Sequence, residues 1–396
     1  MAKSERFFVD FCIIMKSISD RILWLTDTFD DRNGVSMVLQ SIHQEITKRN
    51  LPIDILVCSN TIKARPNLLV VKPVAEFSLP FYRQQPICIP GFFNLKRLFL
   101  RGGYNRIISS TEGPMGMAAL YLRKTAGAKS FCYLHTDWLM FAQTAMKIGK
   151  AGISVITRFL RFYYKSYDGI FVLNTDQQKW LSGKTMKFDE SRVFLTAHWV
   201  DEIFAPKKVS KMEVLGLPEN TPVLLFAGRL SLEKGIMELP GIFRKVIQTI
   251  PNLKMVIAGN GPAADKLKEI FPEAIFTGWI DHDKLPGLFS AADLLILPSR
   301  FDTFSCSVLE ALSCGLPVIA YNTKGPKDII QHGVCGFLAD DSNQMAMEIQ
   351  EFFMDGTLHE KMRQAARERS KTYNAGEIFG HFLKNVGMPE VAKANV

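Results

Sequence analysis

Two cations and two carboxylates stand out in this chain for their type and spacing. Arg229 and Lys234 lie five positions apart in the stretch FAGRLSLEKG, residues 226–235. Asp302 and Glu310 form a D-x7-E pair in FDTFSCSVLEALSCGLP, residues 301–317, after the apolar run ADLLILP at 292–298. Two fixed cations can stabilise charge that develops on an anionic leaving group, an effect worth about 3–4 kcal/mol for one such group. Carboxylates accept hydrogen bonds from the hydroxyls of a neutral polyol. A helix starting near Ser305 would add free N–H groups and a positive dipole end for an anion. A nucleotide-diphosphate sugar has both the anionic and the polyhydroxylated part.

These residues need a frame, and the pattern of apolar runs supplies one. Residues 21–25, 53–57, 106–109, 131–134 and 169–173 read as strands, and apolar positions Val35, Val38, Leu39, Ile42 and Ile46 give a helix by their 3.6-residue spacing. Strands alternating with helices imply α/β layers around parallel sheets. Pro- and Gly-containing stretches at 205–208 and 216–222 mark a boundary near residues 200–220, before a new strand at 223–226. Ligands of such sheets bind beyond the carboxyl ends of the strands, and two α/β domains would leave a cleft for a two-substrate site.

At 396 residues, two domains are expected. The seven cysteines are scattered and lack any C-x-x-C, so reduced thiols in a cytoplasmic setting are expected, with neither a disulfide framework nor a zinc site. Charge divides by half: residues 1–200 carry 27 Lys and Arg against 15 Asp and Glu, and the remainder 21 against 24. The basic excess therefore belongs to the first half, and it suits a polyanionic partner. No nucleic-acid motif is present, which favours lipid. No apolar run reaches the roughly 18–20 residues that span a bilayer. The segment 7–15, broken by Asp10, reads as a helix packed on the body, with membrane contact as the alternative, rather than a signal peptide.

The two motifs, with VIAGNGP at 256–262 and FTGWI at 276–280 between them, resemble the donor-site signatures of the family 4 retaining glycosyltransferases. Here Asp302 stands where that family usually has a first Glu, as in its sulfoquinovosyl and lipid mannosyl relatives. The resemblance covers residues 220–340 most specifically and implies a GT-B fold: α/β, two facing Rossmann-like domains with parallel sheets. It divides the chain into an acceptor-side domain, 1–200, completed by a returning C-terminal helix at 375–396, and a nucleotide-sugar-binding domain, 201–374. It also implies roles. Asp302, Arg229, Lys234 and His135 would be catalytic, His135 lining the sugar site at a strand end. The donor would be held by Asn33, Gly34, Gly228, Arg229, Lys234, Gly261 and Ile280, together with Asp302, Phe304, Ser305, Cys306 and Glu310. Glu310 would take the ribose, Ile280 the base, and backbone N–H groups around Ser305 and Cys306 the donor. Asp137 and Glu112 fall on the acceptor side.

The implied activity is that of a retaining hexosyltransferase acting on a lipid or lipid-linked glycan at the cytoplasmic membrane face, with no metal and no cofactor beyond the co-substrate. A soluble acceptor, such as a sugar phosphate or small glycoside, is one alternative; a catalytically silent nucleotide-sugar-binding protein is another, given the irregular His198-Trp199-Val200-Asp201. Peripheral contact with anionic membrane is expected through the amphipathic stretch 153–167. On a helical wheel Arg158, Arg161 and Lys165 share one side, and Ile156, Phe159, Leu160, Tyr163 and Tyr167 the other. Lys96, Arg97 and Arg101 in the aromatic-rich stretch 91–100 and just after it make a second basic-apolar patch.

Overall fold

Continuous apolar runs become strands buried on both faces, the pattern of a parallel sheet covered by helices on each side. The computed structural model describes residues 20–31, 34–79, 82–144 and 148–388. The expected helix at 7–15, Asn33 and residues 389–396 lie outside them. The strands are β1 (Ile22–Thr26), β2 (Ile53–Cys58), β3 (Leu68–Val71), β4 (Pro73–Leu79), β5 (Tyr82–Pro90), β6 (Arg106–Ser109), β7 (Lys129–Tyr133), β8 (Gly169–Val172) and β9 (Val193–Leu195), then β10 (Val223–Ala227), β11 (Lys254–Ala258), β12 (Ile275–Gly278), β13 (Leu294–Leu297), β14 (Val318–Tyr321) and β15 (Gly336–Ala339).

The first sheet runs β3-β2-β1-β6-β7-β8-β9, every pair parallel. The second runs β12-β11-β10-β13-β14-β15, also parallel throughout. β4 and β5 form a separate antiparallel hairpin that packs on the helix Pro114–Ala126. In each sheet the strand order reverses once, between β1 and β6 and between β10 and β13. Those reversals open crevices at the strand ends, and the motif residues follow β10 and β13.

Side chains alternate across β1. Ile22 and Trp24 join the layer containing the helix Gly34–Lys48, and Leu23 and Leu25 join the layer of the helices Phe92–Arg101, Pro114–Ala126 and Lys150–Lys165. The chain then returns from the second domain: the helix Ala375–Val386, capped by Asn374 accepting from the Glu377 N–H at 2.9 Å, packs on the first sheet. Phe382 stacks on Trp24 at 5.2 Å and on Phe171 at 4.1 Å between ring centroids.

Candidate active site

The second-domain wall is built at the ends of β10 and β13. After β10 the chain passes through Gly228 and Arg229, both exposed, into a single 3-10 turn, Leu232–Lys234. Gly235 ends that turn at φ +70, and a Cβ there would lie 1.8 Å from the Pro298 carbonyl oxygen. Only glycine permits this approach, which sets Lys234 against the loop leaving β13. Lys234 Nζ donates to Asp302 Oδ1. Burial disfavours the ammonium, but the adjoining Asp302 carboxylate outweighs it and lifts Lys234 above the usual lysine range. The other oxygen, Asp302 Oδ2, is buried with no hydrogen-bond partner among the described residues.

Beyond Asp302, Phe304 is buried, and Ser305 adopts φ +77 as the residue before the helix Cys306–Ser313. A left-handed conformation at a non-glycine residue is strained by about 1–2 kcal/mol, and such strain gathers at functional sites. No side chain caps this helix; the Val308 N–H donates to the Ser305 carbonyl at 3.2 Å, and no side chain of Ser305 takes the N–H groups before it. Glu310 is half-buried on the same helix; burial pushes its carboxyl up to about 7, with Asp201 adding to the effect. The Cys306 thiol is pushed up to about 12 by burial and by Glu310, which removes it as a thiolate nucleophile at neutral pH.

The facing wall comes from the end of β7. His135 is buried, its pKa lowered to about 3 by desolvation, so the ring is neutral. Its Nε2 has no partner among the described residues. Its carbonyl accepts the Thr303 hydroxyl at 2.7 Å, which ties the first domain to the residue beside Asp302. Asn174 Nδ2 donates to the Thr303 carbonyl at 2.6 Å from the end of β8. The cleft thus brings together Lys234, Asp302, Cys306 and Glu310 on one side and His135 on the other. Gly261 fits under Leu230, where a Cβ would lie 2.3 Å from the carbonyl oxygen. Ile280 lines a cavity of about 650 Å³ with Lys207, Lys208 and Leu288. Gly34 opens its helix, exposed.

The two carboxylates expected on the acceptor side are engaged. Glu112 accepts from Trp138 Nε1 at 2.7 Å and from the Tyr164 hydroxyl at 2.9 Å, and burial pushes it up to about 7. Asp137 accepts the Met140 N–H at 3.0 Å and pairs with Lys324 of the second domain at 2.7 Å. Sequence reasoning gave no role to Lys324, Thr303 or Asn174, and it singled out His198 only as irregular. His198 lies parallel to His135 at 5.6 Å, shares a hydrogen bond between its Nδ1 and the Tyr133 hydroxyl at 3.0 Å, and meets the Phe304 ring at 4.8 Å. The wheel for 153–167 holds in the main: Leu160, Tyr163 and Tyr167 are buried, Ile156 packs against them, and Arg158 and Lys165 are exposed. Two details differ: the helix ends at Lys165, and Phe159 is exposed while Tyr164 joins Leu160 and Tyr163 in the buried stripe. Arg161 donates to the Thr185 carbonyl.

Two family models divide the chain: one described as Glycosyltransferase Family 4 matches residues 32–202, and one described as Glycosyl transferases group 1 matches residues 208–369. The chain belongs to the family 4 glycosyltransferases. A GDP-mannose-dependent alpha-mannosyltransferase of Corynebacterium glutamicum is 32% identical over 240 residues, 57% of each chain. The match therefore spans little more than half that relative's length. The alpha-monoglucosyldiacylglycerol synthase of Streptococcus pneumoniae is 24% identical over 88% of this chain and 83% of its own. Among solved structures, Anabaena HepE in complex with UDP superposes with a TM-score of 0.73 at 17% identity, over 93% of this chain and all of that one. That likeness is one of fold, and the fold is GT-B.

Proposed function

We propose that this family 4 protein is a retaining hexosyltransferase that moves a sugar from a nucleotide-diphosphate sugar to a lipid or lipid-linked glycan. The observation that carries the reading is the Lys234–Asp302 pair beside two buried polar atoms without a partner among the described residues, Asp302 Oδ2 and His135 Nε2. Buried polar atoms without partners are rare and call for an explanation; a sugar's hydroxyls would satisfy both. HepE, solved with UDP, and relatives named for GDP-mannose and a diacylglycerol glycolipid support the donor and acceptor classes.

In this reading Arg229 and Lys234 stabilise the charge that develops on the diphosphate as the anomeric C–O bond breaks. Lys234 has three N–H donors, so it can keep Asp302 and still reach a phosphate oxygen. Asp302 accepts from the sugar's hydroxyls, and neutral His135 donates or accepts one further bond. Glu310 takes the ribose, Ile280 the base, and Gly34, Gly228 and Gly261 line the phosphate path. Backbone N–H groups near Phe304, Ser305 and Cys306 receive the donor's anionic part. The acceptor hydroxyl attacks from the side the diphosphate leaves, and its proton passes to the departing phosphate oxygen, so configuration is retained. Glu112 and Asp137 shape the acceptor side through Trp138 and Lys324 rather than by direct proton transfer. The two cations supply the neutralisation a divalent ion gives elsewhere, so turnover is expected to persist in chelator. Work at the inner face of a cytoplasmic membrane accords with the six free cysteines of the described residues and with the absence, among those residues, of any membrane-crossing helix.

The test is product formation from a panel of donors with a lipid acceptor extract, with the anomeric configuration of the product determined. Retained configuration, with turnover abolished in Arg229→Ala and Glu310→Ala, supports the reading. Inverted product, or intact turnover in both variants, overturns it.

A further inference from the structure

Lys324 belongs to none of the donor motifs. It follows β14 in the second domain, and its backbone takes φ +47. A left-handed lysine is strained, and such strain persists only where the surroundings hold the residue firmly. Two neighbours do so here. The Lys324 N–H donates to Asp176 Oδ2 at 3.2 Å, a first-domain carboxylate that also pairs with Lys327. Gly325, next along, donates its N–H to the Asp302 carbonyl at 3.2 Å, and a Cβ on it would come within 2.3 Å of the Phe304 Cα. Lys324 is therefore seated on the loop that carries Asp302, Thr303 and Phe304.

Its side chain leaves that loop and crosses the cleft. The mostly buried Lys324 Nζ donates to Asp137 Oδ2 and to Met140 Sδ, each at 2.7 Å. Asp137 opens the helix Trp138–Thr144 and accepts the Met140 N–H on its other oxygen at 3.0 Å. A helix of seven residues has too few internal bonds to stand alone in water, so contacts outside it decide whether it forms. One anchor lies within the first domain, where Trp138 Nε1 donates to Glu112 at 2.7 Å. The second comes from Lys324, in the other domain. Thr303 adds a tie just before the helix, through the His135 carbonyl. Two of the three anchors thus start on or beside the donor loop.

We infer that Lys324 is a positioning residue for the acceptor: it carries the seat of the loop 302–304 across to Asp137 and so sets the helix Trp138–Thr144. The inference deepens the proposed function and rests on it for making that helix part of the acceptor's wall. The helix offers Trp138, Leu139 and Phe141, partly exposed apolar side chains with the Trp138 and Phe141 rings edge-on at 5.7 Å. With the tie made, an acceptor bearing an apolar chain meets a wall already formed. Without it the acceptor must order the helix itself, and that cost lowers its affinity.

Hydrogen–deuterium exchange of the full chain, read by mass spectrometry on residues 138–144, tests the tie without any ligand. Lys324→Met should speed exchange there about fivefold or more, the lower end of ordinary coupling between sites. Lys324→Arg should keep it near the wild-type rate, since the charge still reaches Asp137. Gly325→Ala, which displaces the loop at Phe304, should speed it as well. Unchanged melting temperatures show that the variants fold. In turnover with a lipid acceptor extract, Lys324→Met should raise the acceptor's KM about tenfold and leave the donor's KM in place. Equal exchange in Lys324→Met and the wild type, or acceptor and donor KM rising by one factor, overturns the inference. Exchange as expected in a chain that shows no turnover defeats the proposed function and leaves the tie standing. Turnover with unaltered exchange does the reverse.

Discussion

Lys234 and Asp302 neutralise one another, and the carboxylate keeps the lysine charged against its burial. Breaking a buried pair by removing one partner costs about 3–5 kcal/mol, and the 28% exposure of the Lys234 side chain puts this pair at the lower end. Lys234→Met should therefore lower the melting temperature and cut kcat by about a hundredfold or more. Adding Asp302→Asn to it should recover stability but not turnover. Denaturant melts and steady-state rates on the three variants separate the structural role from the catalytic one. Glu112 gives a pH prediction. Its folded-state carboxyl is raised from 4.5 to about 7 by burial, so the stability it contributes is fully present below pH 4.5 and is lost as pH rises through 7. Thermal melts across that window should fall less steeply in Glu112→Gln than in the wild type; equal slopes would assign the pH dependence elsewhere. At this scale, residues within one motif were legible because the chain itself holds them together. The pairs Thr303–His135 and Lys324–Asp137 were not, since 168 and 187 positions separate their members.

Elements were legible in proportion to their apolar content. β1, β2, β6, β7, β8, β10 and β13 follow from short buried runs, and the helix Cys306–Ser313 starts one residue after the expected position. The hairpin β4–β5 escaped notice because Val74 and Phe77 are exposed and the pairing is antiparallel, away from both sheets. The amphipathic helix was found with its apolar side correctly inward at Leu160, Tyr163 and Tyr167; Phe159 alone departs, because aromatic residues occupy both faces. Two predictions belong here. Phe382→Ala should cost about 3–5 kcal/mol, since it removes the ring that stacks on Trp24 and Phe171; a melt shows whether the returning helix secures the first domain. Gly235→Ala should displace the turn bearing Lys234 from Pro298 and weaken donor binding, read by calorimetric titration. Unchanged affinity there would mean that the close approach is not required.

The whole molecule sets two crevices, one at each sheet's reversal of strand order, against one another. A polar seam joins them: Thr175 bonds both oxygens of Asp328, Lys327 pairs with Asp176 at 2.6 Å, and Lys324 pairs with Asp137. Sequence could foretell two domains and a cleft from the boundary near 200–220, but not which side chains would cross it. Donor grip by that cleft is the central claim, and thermal stabilisation by a panel of nucleotide-diphosphate sugars tests it most directly. A cognate donor at about a hundred times its Kd should add roughly 2.7 kcal/mol, with the gain abolished in Arg229→Ala and reduced in Glu310→Ala. A panel in which no donor shifts the melt, or a shift of equal size in both variants, would contradict the account.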